Sequence, residues 1–149
     1  MTIRWHCLPF ESFPPLILYD VLRLRSEVFV VEQNCAFQDI DRLDLDAHHL
    51  LGYAESGELA AYARLFGAGQ CYAEASIGRV IVAQPYRSFG LGRELMRQAL
   101  AHSDALFGPQ PNKIGAQQHL EAFYNTFGYE QCGPMYLEDG IPHIPMHRA

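Results

Sequence analysis

The sequence predicts a mixed α/β fold whose sheet is mostly antiparallel, with one parallel crossover. Three observations carry this. His48–Glu55 and Glu58–Phe66 are strand-like runs joined at Ser56-Gly57, a hairpin turn signal. Ile77–Val82 is an apolar run that passes through a basic, glycine-containing turn into a segment where Leu91, Leu95 and Ala99 repeat on one helical face. Proline and glycine breaks then divide the chain into the order β-α-loop-β-β-β-α-β-α-β-β, with no internal repeat and no interdomain linker.

Taken in order, Ile3–Cys7 alternates apolar and polar residues, as a half-buried strand does. Pro9, Pro14 and Pro15 close it and clear the way for a helix from Leu16 to about Val30, in which Leu18, Val21, Leu22 and Val28 or Phe29 recur at helical spacing. Glu32–Asn34 reads as the start of a loop that could line a site. The acidic stretch Gln38–Asp46 follows. It does not fit a calcium loop, because an EF-hand starting at Asp39 would place Leu43, Asp44 and Leu50 where an oxygen ligand, glycine and glutamate are required. It reads either as an acidic lip over an amine-binding cleft or as a solvated loop. His48 and His49 are adjacent, so in a strand they face opposite ways and cannot chelate one ion together. After the helix Gly90–Leu106, Gly108-Pro109-Gln110-Pro111 is a stop, Lys113–Ala116 a short strand and Gln117–Phe127 a helix capped by Gly128. Tyr129–Leu137 and His143–His147 read as a closing strand pair, whose edge a homodimer could use.

The 149 residues suit a single domain, 1–149, with 49% hydrophobic and 19% charged residues. No apolar run could cross a bilayer, and Met1–Phe10 lacks the apolar region of a signal peptide, so the expected location is cytoplasmic. The four cysteines are scattered, without a C-x-x-C, so neither a zinc ribbon nor a disulfide framework is expected, and no metal. A formal net charge of −6 argues against a nucleic-acid partner and suits a cationic small molecule or basic peptide.

The chemistry concentrates at Ile77–Leu95. The first-turn N–H groups of a helix have no internal partner, and the macrodipole places positive charge there, so a strand–turn–helix is an anion site. Gly90 and Gly92 allow close backbone approach, and Arg87 and Arg93 can add charge-assisted hydrogen bonds. A dinucleotide fingerprint fails because Leu95 stands at the third glycine, and no P-loop string occurs.

What Arg87-x-x-Gly90-x-Gly92 does resemble is the acyl-CoA pyrophosphate signature of the GNAT superfamily of N-acetyltransferases. A second motif agrees: Gln117-x-x-Leu120-x-x-Phe123-Tyr124-x-x-x-Gly128-Tyr129 is similar to the family frame N-x-x-A-x-x-(F/L)-Y-x-x-x-G-F. Leu24–Gln33 and Glu138–Ile144 resemble the ElaA-like bacterial subgroup, while Arg25-x-x-Val28-Phe29 is similar to a string of the acyl-homoserine lactone synthases. The resemblance spans nearly the whole chain. It implies a GNAT-type mixed, mostly antiparallel central sheet with helices on both faces, and acetyl-CoA as co-substrate for transfer to an amine.

By resemblance, Val80 and Val82 would pair with the pantetheine arm, and Arg87, Ser88, Phe89, Gly90, Leu91, Gly92 and Arg93 would hold the pyrophosphate, mainly through backbone N–H. Gln117 falls at the family's asparagine near the cofactor, an amide one methylene longer. Tyr124 would protonate the departing thiolate, a role that suits a phenol of pKa about 10. Some relatives carry a glutamate base on the strand before the turn, but Ser76–Ala83 contains no carboxylate. Glu32, His119, Glu138 and His143 are the candidate bases. Glu32, Arg79, Glu138 and His143 are the candidate acceptor contacts, with Arg79 either ordering an acid across the cleft or pointing to solvent. Two alternatives stay open: an acyltransferase with another donor, like the lactone synthases, and a non-catalytic acyl-CoA-binding module.

Overall fold

A computed structural model describes residues 2–149. Strands β1 (Ile3–Pro9), β2 (His48–Ala54), β3 (Leu59–Phe66) and β4 (Ser76–Val82) form one antiparallel sheet in the order β1-β2-β3-β4. A second sheet joins β5 (Asn112–Gln117), β8 (Ile141–Arg148) and β6 (Glu130–Gln131), with β7 (Tyr136–Glu138) also paired to β8. The sheets meet through a single parallel bridge, Ala75 to Asn112, reinforced by the Lys113 N–H donating to the Ala75 carbonyl at 2.9 Å. Beyond that bridge, β4 and β5 share no ladder and a gap opens between them. The expected parallel crossover is thus real but reduced to one contact.

Helices cover both faces. On one, α1 (Pro15–Arg25) buries Val21 and Leu24 against Leu51, Tyr62 and Ile81. On the other, α2 (Leu91–Phe107) buries Leu91, Leu95, Met96 and Ala99 against Leu50, Ala61, Ala63 and Leu65, the stripe expected from its spacing. α3 (Glu121–Asn125) adds Tyr124 to that second core.

Three segments depart from the sequence reading. The first helix changes at Arg25 into a π-helix, Ser26–Glu32, in which the N–H of Gln33 reaches back to the carbonyl of Val28 (3.2 Å). Glu32 therefore ends a helix instead of starting a loop. The helix expected from Gln117 begins late: Gln117 is the last residue of β5, Gln118–Leu120 is a 3-10 turn, and only Glu121–Asn125 is α-helical. The strand expected over Tyr129–Leu137 is broken into β6 and β7, because Gly133-Pro134 lies between them and Pro134 has no N–H for a ladder.

Beneath the cleft sits a network of ions. Arg25, fully buried, donates Nε to Asp39 (3.0 Å) and Nη1 to Asp44. Arg64 bonds Asp41 (2.8 Å) and Asp44 (3.0 Å), and Arg79 bonds Asp39 (2.8 Å). The acidic stretch therefore departs from both expectations, since Asp39, Asp41 and Asp44 are matched by arginines from α1, β3 and β4, while Asp46 stays exposed. Burial alone pushes the Asp41 and Asp44 carboxyls up, but the arginine hydrogen bonds outweigh it and hold both below the ordinary carboxylate value. Burial pushes His49 down, so its neutral ring donates Nε2–H to the Asp44 carbonyl (2.9 Å) and accepts from the Tyr62 hydroxyl (2.6 Å).

Acid should therefore destabilise the protein in two stages. Below about pH 6.5 the unfolded chain gains a proton at His49 that the folded chain resists, and below about pH 4 the same holds for Asp41 and Asp44. Thermal unfolding followed by circular dichroism should show Tm falling steadily through both windows. Arg25→Met should cost about 3 kcal/mol, since it takes one of two guanidinium partners from each of the buried carboxylates Asp39 and Asp44.

Candidate active site

The gap between β4 and β5 is a cleft of about 690 Å³ walled by both strands, the π-helix, the 33–41 segment, α3 and the β7–β8 turn. Its β4 wall is irregular. Tyr62 pairs with Ile81 but Arg64 pairs with Gly78, so Arg79 and Val80 together oppose Ala63 in a β-bulge, with Arg79 in the left-handed region at φ 48°. The only sequence signal for this was Gly78 beside a lone arginine in an apolar run. Val82 opposite Ala61, with the Ala83 N–H donating to the Ala60 carbonyl (2.8 Å), turns the Val82 N–H and C=O away from β3 and into the gap. Val80 and Val82 both line the cleft.

At one end lies the glycine turn. Ser88 (φ 72°) and Gly90 (φ 74°) are both left-handed, and Gly90 caps α2 without any side-chain cap. Among the described residues, the backbone N–H groups from Ser88 to Arg93 have no protein acceptor, and the first helical bond is Glu94 N–H to the Gly90 carbonyl (3.3 Å). A left-handed serine is strained. Here it belongs to a run of unpartnered backbone donors, the arrangement that suits an anion. Val82, Ser88, Gly90, Leu91, Gly92, Arg93 and Phe123 surround a hollow of about 310 Å³ at this turn. Phe89 stands exposed on its rim.

Arg87 is not free to act as expected. Its Nε donates to the Val82 carbonyl (2.9 Å), and its two terminal nitrogens grip the Glu32 carboxylate (2.8 and 3.0 Å). That pair occupies Glu32 as well. Arg79 does order acids across the cleft, Asp39 and Asp41, and lies over the Phe29 and Phe37 rings. Gln117 reaches Gln33 (3.2 Å) from the end of β5. His119 is an exposed cleft residue on the 3-10 turn. Glu138 and His143 share the far wall, 3.4 Å apart. Cys35, absent from the sequence candidates, also lines the cleft and donates its thiol to the Asp139 carbonyl (3.3 Å).

Tyr124 is 7% exposed and lines the cleft. Burial pushes its phenol up to about 12. Among the described residues no protein hydrogen bond holds its hydroxyl, so a proton stays on the oxygen and is available to a group in the cleft.

Two splayed antiparallel sheets, an anion turn at the mouth of the splay and a phenol within it define the acyl-CoA N-acyltransferase fold. Known proteins agree. Residues 25–149 match the family model described as "Acetyltransferase (GNAT) domain". Protein ElaA of Escherichia coli K12 is 43% identical over 98% of this chain and 96% of its own length. The crystal structure of an acyl-CoA N-acyltransferase from Pseudomonas aeruginosa superposes with a TM-score of 0.94 at 41% identity, covering 99% of this chain and 100% of that one. The AHL synthase LasI superposes with a TM-score of 0.77 over 98% of this chain and 89% of its own, at 15% identity, a likeness of fold alone. The chain belongs to the GNAT acetyltransferase family, in its ElaA-like group.

Acyl-CoA is what this family uses, and the unpaired N–H groups of the turn and of Val82 fit it. Gly92 faces Phe123 with its ideal Cβ 3.9 Å from the ring, so alanine fits but a longer side chain enters the anion hollow. Gly92→Glu should fold normally, because an acid in the first helical turn is favourable. It should weaken binding of coenzyme A by about tenfold or more in calorimetry, through like-charge repulsion and lost space.

Proposed function

We propose that this protein is an acetyl-CoA-dependent N-acetyltransferase that works by direct transfer to an amine, as one catalytic domain spanning 1–149. The observation that carries the reading is the shared cleft: the glycine turn, the free Val82 N–H and the unpartnered Tyr124 hydroxyl all face one gap. A bound acyl-CoA supplies an activated acyl carbon there. Ser88–Arg93 hold its pyrophosphate through backbone N–H, and Val80 and Val82 align the pantetheine arm along the strand edge. The β4 bulge turns backbone donors toward the developing oxyanion. Tyr124 gives its proton to the departing sulfur. Holding both reactants in one gap supplies much of the rate.

The acceptor we assign is a cationic amine, a small molecule or peptide. Asp39, Asp41 and Asp44 do not support this, being matched by arginines. The support is Glu138 and Asp139, acids of the β7–β8 turn that line the cleft opposite the anion turn. No helix of the described residues is long and apolar enough to cross a membrane, and we expect the protein to meet its acceptor in the cytoplasm.

Incubation with acetyl-CoA and a panel of polyamines, aromatic amines, amino sugars and short basic peptides, read by mass spectrometry, should show a mass gain of one acetyl group on an amine. Tyr124→Phe should lower kcat roughly 100-fold or more with little change in acetyl-CoA affinity. Turnover equal to the parent would remove Tyr124 from the mechanism.

A further inference from the structure

The sequence left the general base open among Glu32, His119, Glu138 and His143, and the structure separates them. Glu32 is held on two oxygens by Arg87. His119 is exposed on the 3-10 turn, and among the described residues its ring makes no hydrogen bond to the protein that would orient it. Glu138 is 57% exposed in its side chain, where water competes for its lone pairs.

His143 differs from all of these. It is buried in the middle strand of the second sheet, paired with Gln117 on one side and Tyr136 on the other. Its Nδ1 lies 2.7 Å from the Ile141 carbonyl. A carbonyl oxygen can only accept, so the proton sits on Nδ1 and the lone pair of the neutral ring is on Nε2. Tyr136 stacks on the ring, with centroids 5.8 Å apart and planes 29° apart, which fixes its orientation. Nε2 lies 3.4 Å from Glu138 Oε2, so a proton arriving there forms an ion pair at the cleft wall. The titratable groups facing it are Glu138 and Tyr136 of β7, Asp139 of the turn and Cys35 across it; the cleft arginines, Arg79 and Arg87, are paired with Asp39 and Glu32.

Side-chain alternation then sets the direction of reaction. Ile144 and Ala116 point into the core that contains Tyr124. His143 and Gln117, one residue away on each strand, point to the opposite face of that sheet. Tyr124 and His143 thus approach the same gap from opposite faces. An acyl transfer can use this arrangement, because the incoming amine loses a proton and the departing sulfur gains one at different positions around the tetrahedral carbon.

Resting on the N-acyltransferase reading above, we infer that His143 is the general base and Glu138 its counter-ion, on the opposite face of the second sheet from Tyr124. The attacking amine is the neutral form, its ammonium proton given up to solvent; as its nitrogen lone pair forms the C–N bond, the C–S bonding pair leaves on sulfur. His143 Nε2 takes an N–H proton of the acceptor, and Tyr124 gives its own proton to sulfur. Solvent then removes the proton from His143 and returns one to Tyr124, which restores both.

The test measures His143→Gln, His143→Ala and Glu138→Gln with acetyl-CoA and the best acceptor of the amine panel. His143→Gln should lower kcat about 100-fold or more and leave the calorimetric Kd for coenzyme A within about twofold. Added imidazole should restore His143→Ala by about tenfold, which a merely structural role would not allow. Glu138→Gln, on an exposed side chain, should lose several-fold in kcat at saturating acceptor, whereas lost attraction for a cationic acceptor alone would raise only the acceptor KM, and this split decides the matter if neither histidine variant folds. Folded histidine variants with parental kcat, or without rescue, would overturn the inference while the acyltransferase reading stands. So would a Glu138→Gln variant with parental kcat. A parent protein that binds coenzyme A yet acetylates no amine would overturn both.

Discussion

The buried guanidinium of Arg25 is the constraint on which the rest depends. It sits where the α-helix changes to a π-helix, and it holds Asp39 and Asp44 of a segment with almost no regular structure. Through Asp44 it is joined to Arg64 on β3, and through Asp39 to Arg79 in the β4 bulge. Ions so buried cost several kcal/mol each unless every partner is present. The 33–47 segment cannot lift from the sheet without stranding charges, so an irregular chain becomes a fixed wall of the cleft. Its rigidity comes from paired charge, because Ile40 and Leu45, two of its apolar side chains, stay exposed.

The same network shows which features were legible in the sequence. The anion turn was legible because its chemistry is local: left-handed positions at Ser88 and Gly90 and free N–H groups at a helix start lie within a few residues. The stripe of α2 and the β2–β3 hairpin were legible for the same reason. Arg87 was misjudged because its partner, Glu32, is 55 positions away, and the aspartates because their arginines come from three separate elements. Periodicity gives the face of a strand, but nothing local says that Arg79 lies in a bulge. Gln117 sits in the motif frame as expected, yet that frame does not say where strand gives way to helix.

The two halves of the site are built on different principles. The donor half is backbone: unpaired N–H groups and an open strand edge, which tolerate changes of side chain so long as φ and space are kept. The acceptor half is side chains from distant segments, each fixed by a partner. On the proposed reading, a substitution at Ser88 acts through conformation and one at His143 through chemistry. This division lets one scaffold keep a donor and change its acceptor, because the far wall can vary without disturbing the turn.

What joins the halves is the end of the π-helix. Glu32 holds Arg87 of the anion turn, Gln33 bonds Gln117 at the end of β5, and Cys35 bonds the Asp139 carbonyl in the β7–β8 turn. Glu32, Gln33 and Cys35 thus tie three separate parts of the cleft wall together. An ordinary α-helical continuation would rotate each side chain by about 100° per residue and could not keep the same set of contacts. The wider winding, with the Cys35 N–H reaching the Val30 carbonyl at 3.0 Å, advances the chain so that they fall on different walls. The longer amide at Gln117 has a structural use here, because its reach carries it across to Gln33. The irregular end of the first helix is therefore the piece that sets the width of the cleft.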